Sequence, residues 1–311
     1  MKETLTAGAA PTSVHTSLYL LYAASWLAVV FVLRLRLIRG TTLVAPWIWG
    51  TVAIVTVAGV EASIAISGSS TTLGAQALRY AAAMGTFCPI VALLGAKRPQ
   101  NTGWQWIVLS LWAILCQPSI EWLLFGGVAE IHPARFWFLV ILILVGATNG
   151  LGTRNWPASS AFCVGQIILL LPYFSAQPWI ASHSAAWWGL QLLFLWGLWL
   201  TLTGYLARRV AGNQLTGIRL NRVWLDFRDE FGVVWSLRII ERMNAAASMY
   251  DWPVILTWHG FEPRVSSTYQ DAPAVVEESF RTLLRRFVSP AWIDARMGES
   301  INPERQTVSA T

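Results

Sequence analysis

The sequence predicts an all-α polytopic membrane protein: a seven-transmembrane helix bundle followed by a small cytoplasmic C-terminal α+β module. Three observations lead there. Hydrophobic residues make up 55% of the 311 residues and charged residues only 12%, against about 25% charged in an ordinary soluble domain. Seven apolar runs approach the ~20 residues a helix needs to cross the hydrocarbon core. The charges are also unevenly divided, with 9 basic and 4 acidic residues before position 208 and 13 and 12 from there on.

The runs cover residues 16–33, 44–67, 78–95, 104–125, 136–151, 158–174 and 186–206. Short connections make consecutive helices antiparallel neighbours, and at membrane depth only helices satisfy such a backbone. Arg34, Arg36 and Arg39 close the first run, Lys97 and Arg98 the third, Arg154 the fifth, and Arg208 and Arg209 the seventh. Positive charge collects on cytoplasmic connections, so the N-terminus is expected outside and the C-terminus in the cytoplasm. Tryptophans near the run ends, among them Trp104, Trp122, Trp156 and Trp187, suit the membrane interface. No basic n-region precedes the first run, which reads as an uncleaved anchor.

Residues 1–15 therefore form an outer tail, 16–207 the membrane domain, 208–298 a cytoplasmic module and 299–311 a disordered tail. In the module, Leu220, Trp224, Phe227, Phe231 and Val234 line one face of an amphipathic helix about eight turns long. Asp226, Asp229, Glu230 and Glu241 lie largely elsewhere and read as a solvated face with Arg222 and Arg228 as ion-pair partners. Pro253 stops the helix, "VILTWHGF" reads as one short strand, and "APAVVEESFRTLLRRFV" as a second helix. The apolar stripe needs cover. The membrane surface, the second tail helix or a protein partner docking on Trp224, Phe227, Phe231 and Val234 can each supply it.

Chemistry is sparse. Glu61 stands alone in a charge-free stretch from 40 to 78, and an acid at membrane depth is a functional hypothesis once a partner is named. Arg79 at the start of the third run can reach it as a clamp; the alternatives are a protonatable carboxyl in a transport path and a neutral packed acid. Glu121, one turn beyond Gln117 and Pro118, shares the outer half with Glu61, Arg79, His132, Arg135 and Gln191, which suggests one outward polar cavity. Gln117 is placed to satisfy a carbonyl freed by Pro118, and Pro89 and Pro172 interrupt two other runs. His15, His132 and His183 are candidates for a metal or axial haem ligand, although none has HxxH or HxxxH spacing. No cofactor is otherwise predicted.

Several classes drop out. Retinal chemistry needs a lysine inside a late helix, and the only lysines are Lys2 and Lys97. DRY, NPxxY, GxSxG, HExxH and phosphate-loop patterns are missing. Cys88, Cys116 and Cys163 sit in apolar runs without CxxC spacing and read as small hydrophobes. No basic surface interleaved with aromatics points to nucleic acid. Gly146 and Gly150 form a GxxxG that lets helices of the bundle approach. The expected function is a non-catalytic membrane subunit or docking factor, associating with a protein partner or with itself through the cytoplasmic helix. The alternatives are a proton-coupled or small-solute transporter using Glu61 and Glu121, and an outer-face haem- or metal-handling protein. Arginine exceeds lysine tenfold, which suggests a GC-rich bacterial source and hence a bacterial cytoplasmic membrane.

Overall fold

The computed structural model describes residues 10–68, 71–98, 100–126, 131–174, 182–210, 219–264 and 274–297. The expected disordered tail lies outside them, as do residues 1–9. From Ala10 the expected outer tail is already helical. α1 (Ala10–Ser25) continues through a π-helical stretch (Trp26–Phe31) into α2 (Val32–Ile38), which carries Arg34 and Arg36.

α3 (Val44–Ser67) is one uninterrupted apolar helix, closed by Gly68 in the left-handed conformation that glycine adopts without a steric penalty. α4 (Leu73–Gly85) starts five residues earlier than the hydropathy predicts. The Thr72 side chain accepts the Ala75 N–H at 3.2 Å and caps it there. The chain then turns at Thr86 and Phe87 and resumes as α5 (Cys88–Leu94), with Pro89 in the first turn. The next run divides in the same way into α6 (Asn101–Leu115) and α7 (Gln117–Phe125), with Pro118 just inside the second piece. Proline is tolerated at such positions, where its missing N–H has no helical partner to lose. α8 (Pro133–Gly150), α9 (Trp156–Leu170, continued by a 3-10 turn, Leu171–Tyr173) and α10 (Ser182–Val210) complete the bundle.

Among the described residues, six helices are long and apolar enough to cross a membrane: Val44–Ser67, Leu73–Leu94, Thr102–Phe125, Pro133–Gly150, Trp156–Tyr173 and His183–Ala207. The first run is helical but broken by the π-helical stretch and is not one of the six. Large apolar side chains cover the outside of α6 and α7: Trp106 is 71% exposed, Leu124 71% and Phe125 84%. Such a surface suits lipid and not water. Inside, α9 packs along α10, α1 along α3, and α3 against α4 and α5. Rings of Trp26, Trp47, Trp196 and Phe162 meet at 4.7 to 6.1 Å in the centre. Gly146 lies against the Ile90 side chain and Gly150 against Ser159, so this GxxxG face is used between helices of the same chain.

The module consists of α11 (Arg219–Met249), a hairpin of β1 (Val254–Leu256) and β2 (Phe261–Pro263), α12 (Ala274–Leu284) and α13 (Pro290–Met297). The single expected strand is an antiparallel pair with Leu256 opposite Phe261. α11 kinks at Gly232, whose φ of 78° no β-carbon-bearing residue adopts cheaply. The kink rotates the apolar face: Leu220, Trp224, Phe227 and Phe231 are buried before it, Trp235, Ile239, Met243 and Ala247 after it, and Val234 is only half-buried.

The module leans on the membrane domain. Ser289 N–H donates to Gly40 O (2.7 Å), Thr42 N–H to Phe287 O (2.9 Å) and Arg98 N–H to Arg286 O (2.8 Å). The Trp235 indole N–H donates to Leu93 O at 2.9 Å and that of Trp258 to Gly152 O at 3.2 Å. These partners lie in the last turn of α5 and on the connections after α2, α5 and α8, so the connections expected to be cytoplasmic share one face, and the module sits on it.

Candidate functional site

Glu61 lies in the last third of α3, and α4 brings Arg79 beside it. Arg79 Nε donates to Oε1 at 2.5 Å and Nη2 to Oε2 at 3.0 Å. The side chains are 1% and 4% exposed. This fork-to-carboxylate geometry suits a guanidinium and is the clamp expected of the pair. A third partner comes from α10, where His183 Nδ1 lies 3.2 Å from Glu61 Oε2. The sequence placed His183 in a loop, but α10 begins at Ser182, one residue before it. The space beside Glu61, Arg79 and Tyr173 is about 10 Å³, the lower limit for a single water. The cluster joins three helices and leaves no room for a solute.

The other residues expected in the outer half form, among the described residues, separate groups and not one cavity. Gln117 Nε2 donates to Glu121 Oε1 at 2.7 Å, and Arg135 reaches Gln117 Oε1 at 3.5 Å, with Gln117 and Glu121 exposed and Arg135 half-buried between α7 and α8. Gln117 thus serves Glu121 and not a carbonyl freed by Pro118. Gln191 accepts from the Tyr22 hydroxyl at 2.8 Å. His132 caps α8, its Nδ1 accepting the Ala134 N–H at 3.3 Å. The side chain of His15 lies outside those described. No three His, Cys, Asp or Glu residues gather as metal ligands among the described residues, and Cys88, Cys116 and Cys163 are free thiols.

The apolar stripe of α11 is covered by its own chain. Trp224, Phe227 and Phe231 are 0% exposed, stacked in sequence at 6.2 and 4.5 Å, with the Phe287 ring edge-on to Phe227 at 5.4 Å. α12 and α13 pack on α11 from the same module. A partner seated on this stripe must first displace them.

The acids opposite the stripe are not solvated either. Asp229 is 7% exposed, and its Oδ1 accepts from the Arg154 N–H at 3.1 Å and from Arg228 Nη2 at 2.9 Å. Glu230 pairs with Arg34 at the end of the first helical run, and Arg34 Nη1 also donates to Leu200 O at 2.8 Å. Asp226 accepts from Arg296 Nε at 2.9 Å. Burial raises the Asp226 carboxyl above its ordinary value, with Arg296 and Arg154 opposing the shift. Only Glu241 of the four is exposed.

These contacts frame a site that sequence reasoning missed. A cavity of about 140 Å³ lies in the seam between bundle and module. Its polar end holds Arg34, Glu230, Asn149, Asn155 and Ser159, and its apolar walls are Trp47, Trp196, Phe162, Ile90, Val145 and Leu200. Asn155 is fully engaged, donating to Asp229 O at 2.8 Å and accepting from Thr203 at 3.0 Å. Asn149 Oδ1 accepts the Val234 N–H at 3.1 Å. That amide is freed where α11 restarts after its kink, so Asn149 caps the helix from another element. Asn149 Nδ2 and the Ser159 hydroxyl have no acceptor among the described residues and line the cavity. The only signal in the sequence was the density of small and amide side chains in "GATNGLGTRNWPASS".

Comparison with protein-family models, curated proteins and solved structures gives no match. The fold itself defines the class, an α-helical multi-pass membrane protein with six helices able to span.

Proposed function

We propose that the protein is a non-catalytic binding subunit of a bacterial cytoplasmic membrane, holding a small, mostly apolar ligand in the seam between bundle and module. The observation that carries this reading is the seam cavity. It joins aromatic walls to two uncommitted donors, Asn149 Nδ2 and the Ser159 hydroxyl, the combination expected of a ligand site. Its 140 Å³ is close to the ~150 Å³ of an engineered apolar cavity that takes up benzene. The buried part of the ligand is therefore ring-sized and carries a hydrogen-bond acceptor such as a carbonyl. In this reading the first helical run is a seventh span, because Tyr19 and Trp26 on it are fully buried among the other helices, and the arginine distribution sets the N-terminus outside.

The test is mass spectrometry of an organic extract of the protein purified from its own membrane in mild detergent. Wild type carries a stoichiometric small molecule, whereas Val145→Trp and Leu200→Trp, which fill the cavity from α8 and from α10, lose it and keep their fold. A wild type without such a molecule, or filled variants that retain it, contradicts the proposal.

A second reading, a protein partner docking on the module, moves from the covered stripe to Leu237, Met249 and Tyr250, which are 53%, 75% and 66% exposed on α11 and just after it. A co-purifying protein lost in Met249→Ser/Tyr250→Ser supports it. Transport through Glu61 and Glu121 together draws no support from the described residues, where the two acids belong to separate clusters. Metal or haem ligation draws no support from His132 and His183, which are engaged by the Ala134 amide and by Glu61.

A further inference from the structure

A second site lies on the module face, beside the seam. Lys97, Arg98 and Gln100, between α5 and α6, and Arg285 and Arg286, after α12, line an open depression of about 500 Å³. The two segments are far apart in the chain, Arg98 and Arg286 being 188 positions apart, and are fixed together by the Arg98 N–H bond to Arg286 O. Among the described residues, no carboxylate lines the depression. Six other guanidiniums meet acids: Arg34 with Glu230, Arg79 with Glu61, Arg154 and Arg228 with Asp229, Arg281 with Asp294, Arg296 with Asp226. Among the described residues, the four cations of the depression form no ion pair.

Their level in the molecule identifies what neutralises them. α5 ends at Leu94 and α6 begins at Asn101, so these side chains stand where two apolar segments leave the hydrocarbon. Trp104 and Trp106 in the opening turns of α6 are indoles of the kind that mark this boundary, and Trp106 is 71% exposed. Four unneutralised cations facing a concavity at headgroup depth attract a phosphate-bearing anion.

We propose that this depression binds the headgroup of an anionic glycerophospholipid of the surrounding bilayer, with Lys97, Arg98, Arg285 and Arg286 around its phosphate. The lipid then bridges the bundle and the module beside the backbone bond from Arg98 N–H to Arg286 O.

The experiment is a native mass spectrometry titration of the full chain with phosphatidylglycerol and, separately, phosphatidylcholine, on wild type, Arg98→Gln/Arg286→Gln and the control Arg242→Gln, an exposed arginine outside the depression. Wild type and the control retain phosphatidylglycerol in preference to phosphatidylcholine, and the double variant loses on the order of tenfold or more in that preference. Arg98 and Arg286 are exposed and their fixing bond is between backbones, so the double variant keeps its melting temperature. If it does not, Lys97→Gln/Arg285→Gln replaces it. Equal retention of the two lipids, equal behaviour of the double variant and the control, or displacement of the lipid by an equal concentration of inorganic phosphate overturns the proposal; the last outcome identifies a free-phosphate site.

Discussion

Removing either charge of the Glu61–Arg79 pair isolates what the pair contributes. Both side chains are almost fully buried, so Glu61→Gln leaves the Arg79 guanidinium without its carboxylate, and Arg79→Gln leaves Glu61 with only His183. Breaking one side of a buried pair costs about 3–5 kcal/mol, because the remaining charge has lost its compensation. At about 2.1 cal/mol/K of unfolding entropy per residue, a chain of 311 residues loses roughly 1.5 °C of melting temperature per kcal/mol, so each single variant should melt on the order of 5–8 °C lower in detergent. Replacing both partners together is far less harmful than the sum, since two neutral amides retain shape and lose the desolvation penalty. Glu61→Gln/Arg79→Gln should recover most of the loss. His183→Gln should change stability by less than about 1 kcal/mol, as the imidazole is 43% exposed. The assay is thermal unfolding of all four variants followed by intrinsic fluorescence. Single variants as stable as wild type, or a double variant at the sum of the single losses, refute the clamp.

Other predictions concern the module and its seam. Gly232→Ala must adopt a φ of 78° and place a β-carbon 2.5 Å from the Asn149 backbone oxygen. It should cost about 1–2 kcal/mol from the backbone alone and speed hydrogen exchange of the Val234 amide; unchanged exchange contradicts the seam geometry. Phe227→Ala should lower the stability of the lone protein by about 3–5 kcal/mol, whereas a stripe used only for docking would leave the lone protein's melting temperature unaltered. Asp226 is raised by burial, so the fold favours its protonated form. Its contribution is complete below the ordinary value of about 4 and is lost as pH rises through the raised one. The stability of Asp226→Asn relative to wild type should therefore increase with pH from about 4 upward and then level off, and a difference independent of pH rules the shift out. Finally, a reporter fused after Thr311 should be active in the cytoplasm and a tag before Met1 should be accessible from outside; the reverse pattern would invert the proposed orientation.

What could be read in advance was whatever local composition encodes. α3 matched its run to the residue because 44–67 is uniformly apolar and Gly68 ends it. The start of α4 was missed because "LGAQA", residues 73–77, holds Gly74 and Gln76, which lower its hydropathy, whereas the helix is fixed there by the Thr72 cap. The pairing of Arg79 with Glu61 was legible from shared depth alone. His183 was not, since its place in a helix depends on where α10 begins. β2 escaped notice because "FEP" pairs only with a strand upstream, and Pro263 argues locally against a strand. The seam was the least legible part. Arg34 and Glu230 are 196 residues apart, and no periodicity links them. On α11 the acids sit opposite an apolar stripe, the pattern that elsewhere marks solvent. Here both faces are buried, one under α12 and α13 and the other against the bundle, so amphipathicity located the helix without revealing its surroundings. The kink at Gly232 added a rotation that moved Val234 off the face and brought Trp235 onto it.

The central claim is that the seam between bundle and module is a ligand site. Electron cryomicroscopy of the protein taken from its own membrane into nanodiscs, with an antibody fragment to add mass, tests it most directly. A ligand site there gives non-protein density in the cavity, ring-sized against Trp47 and Trp196 and reaching hydrogen-bond distance of Asn149 Nδ2. A cavity that is empty, or filled only by rearranged side chains, contradicts it.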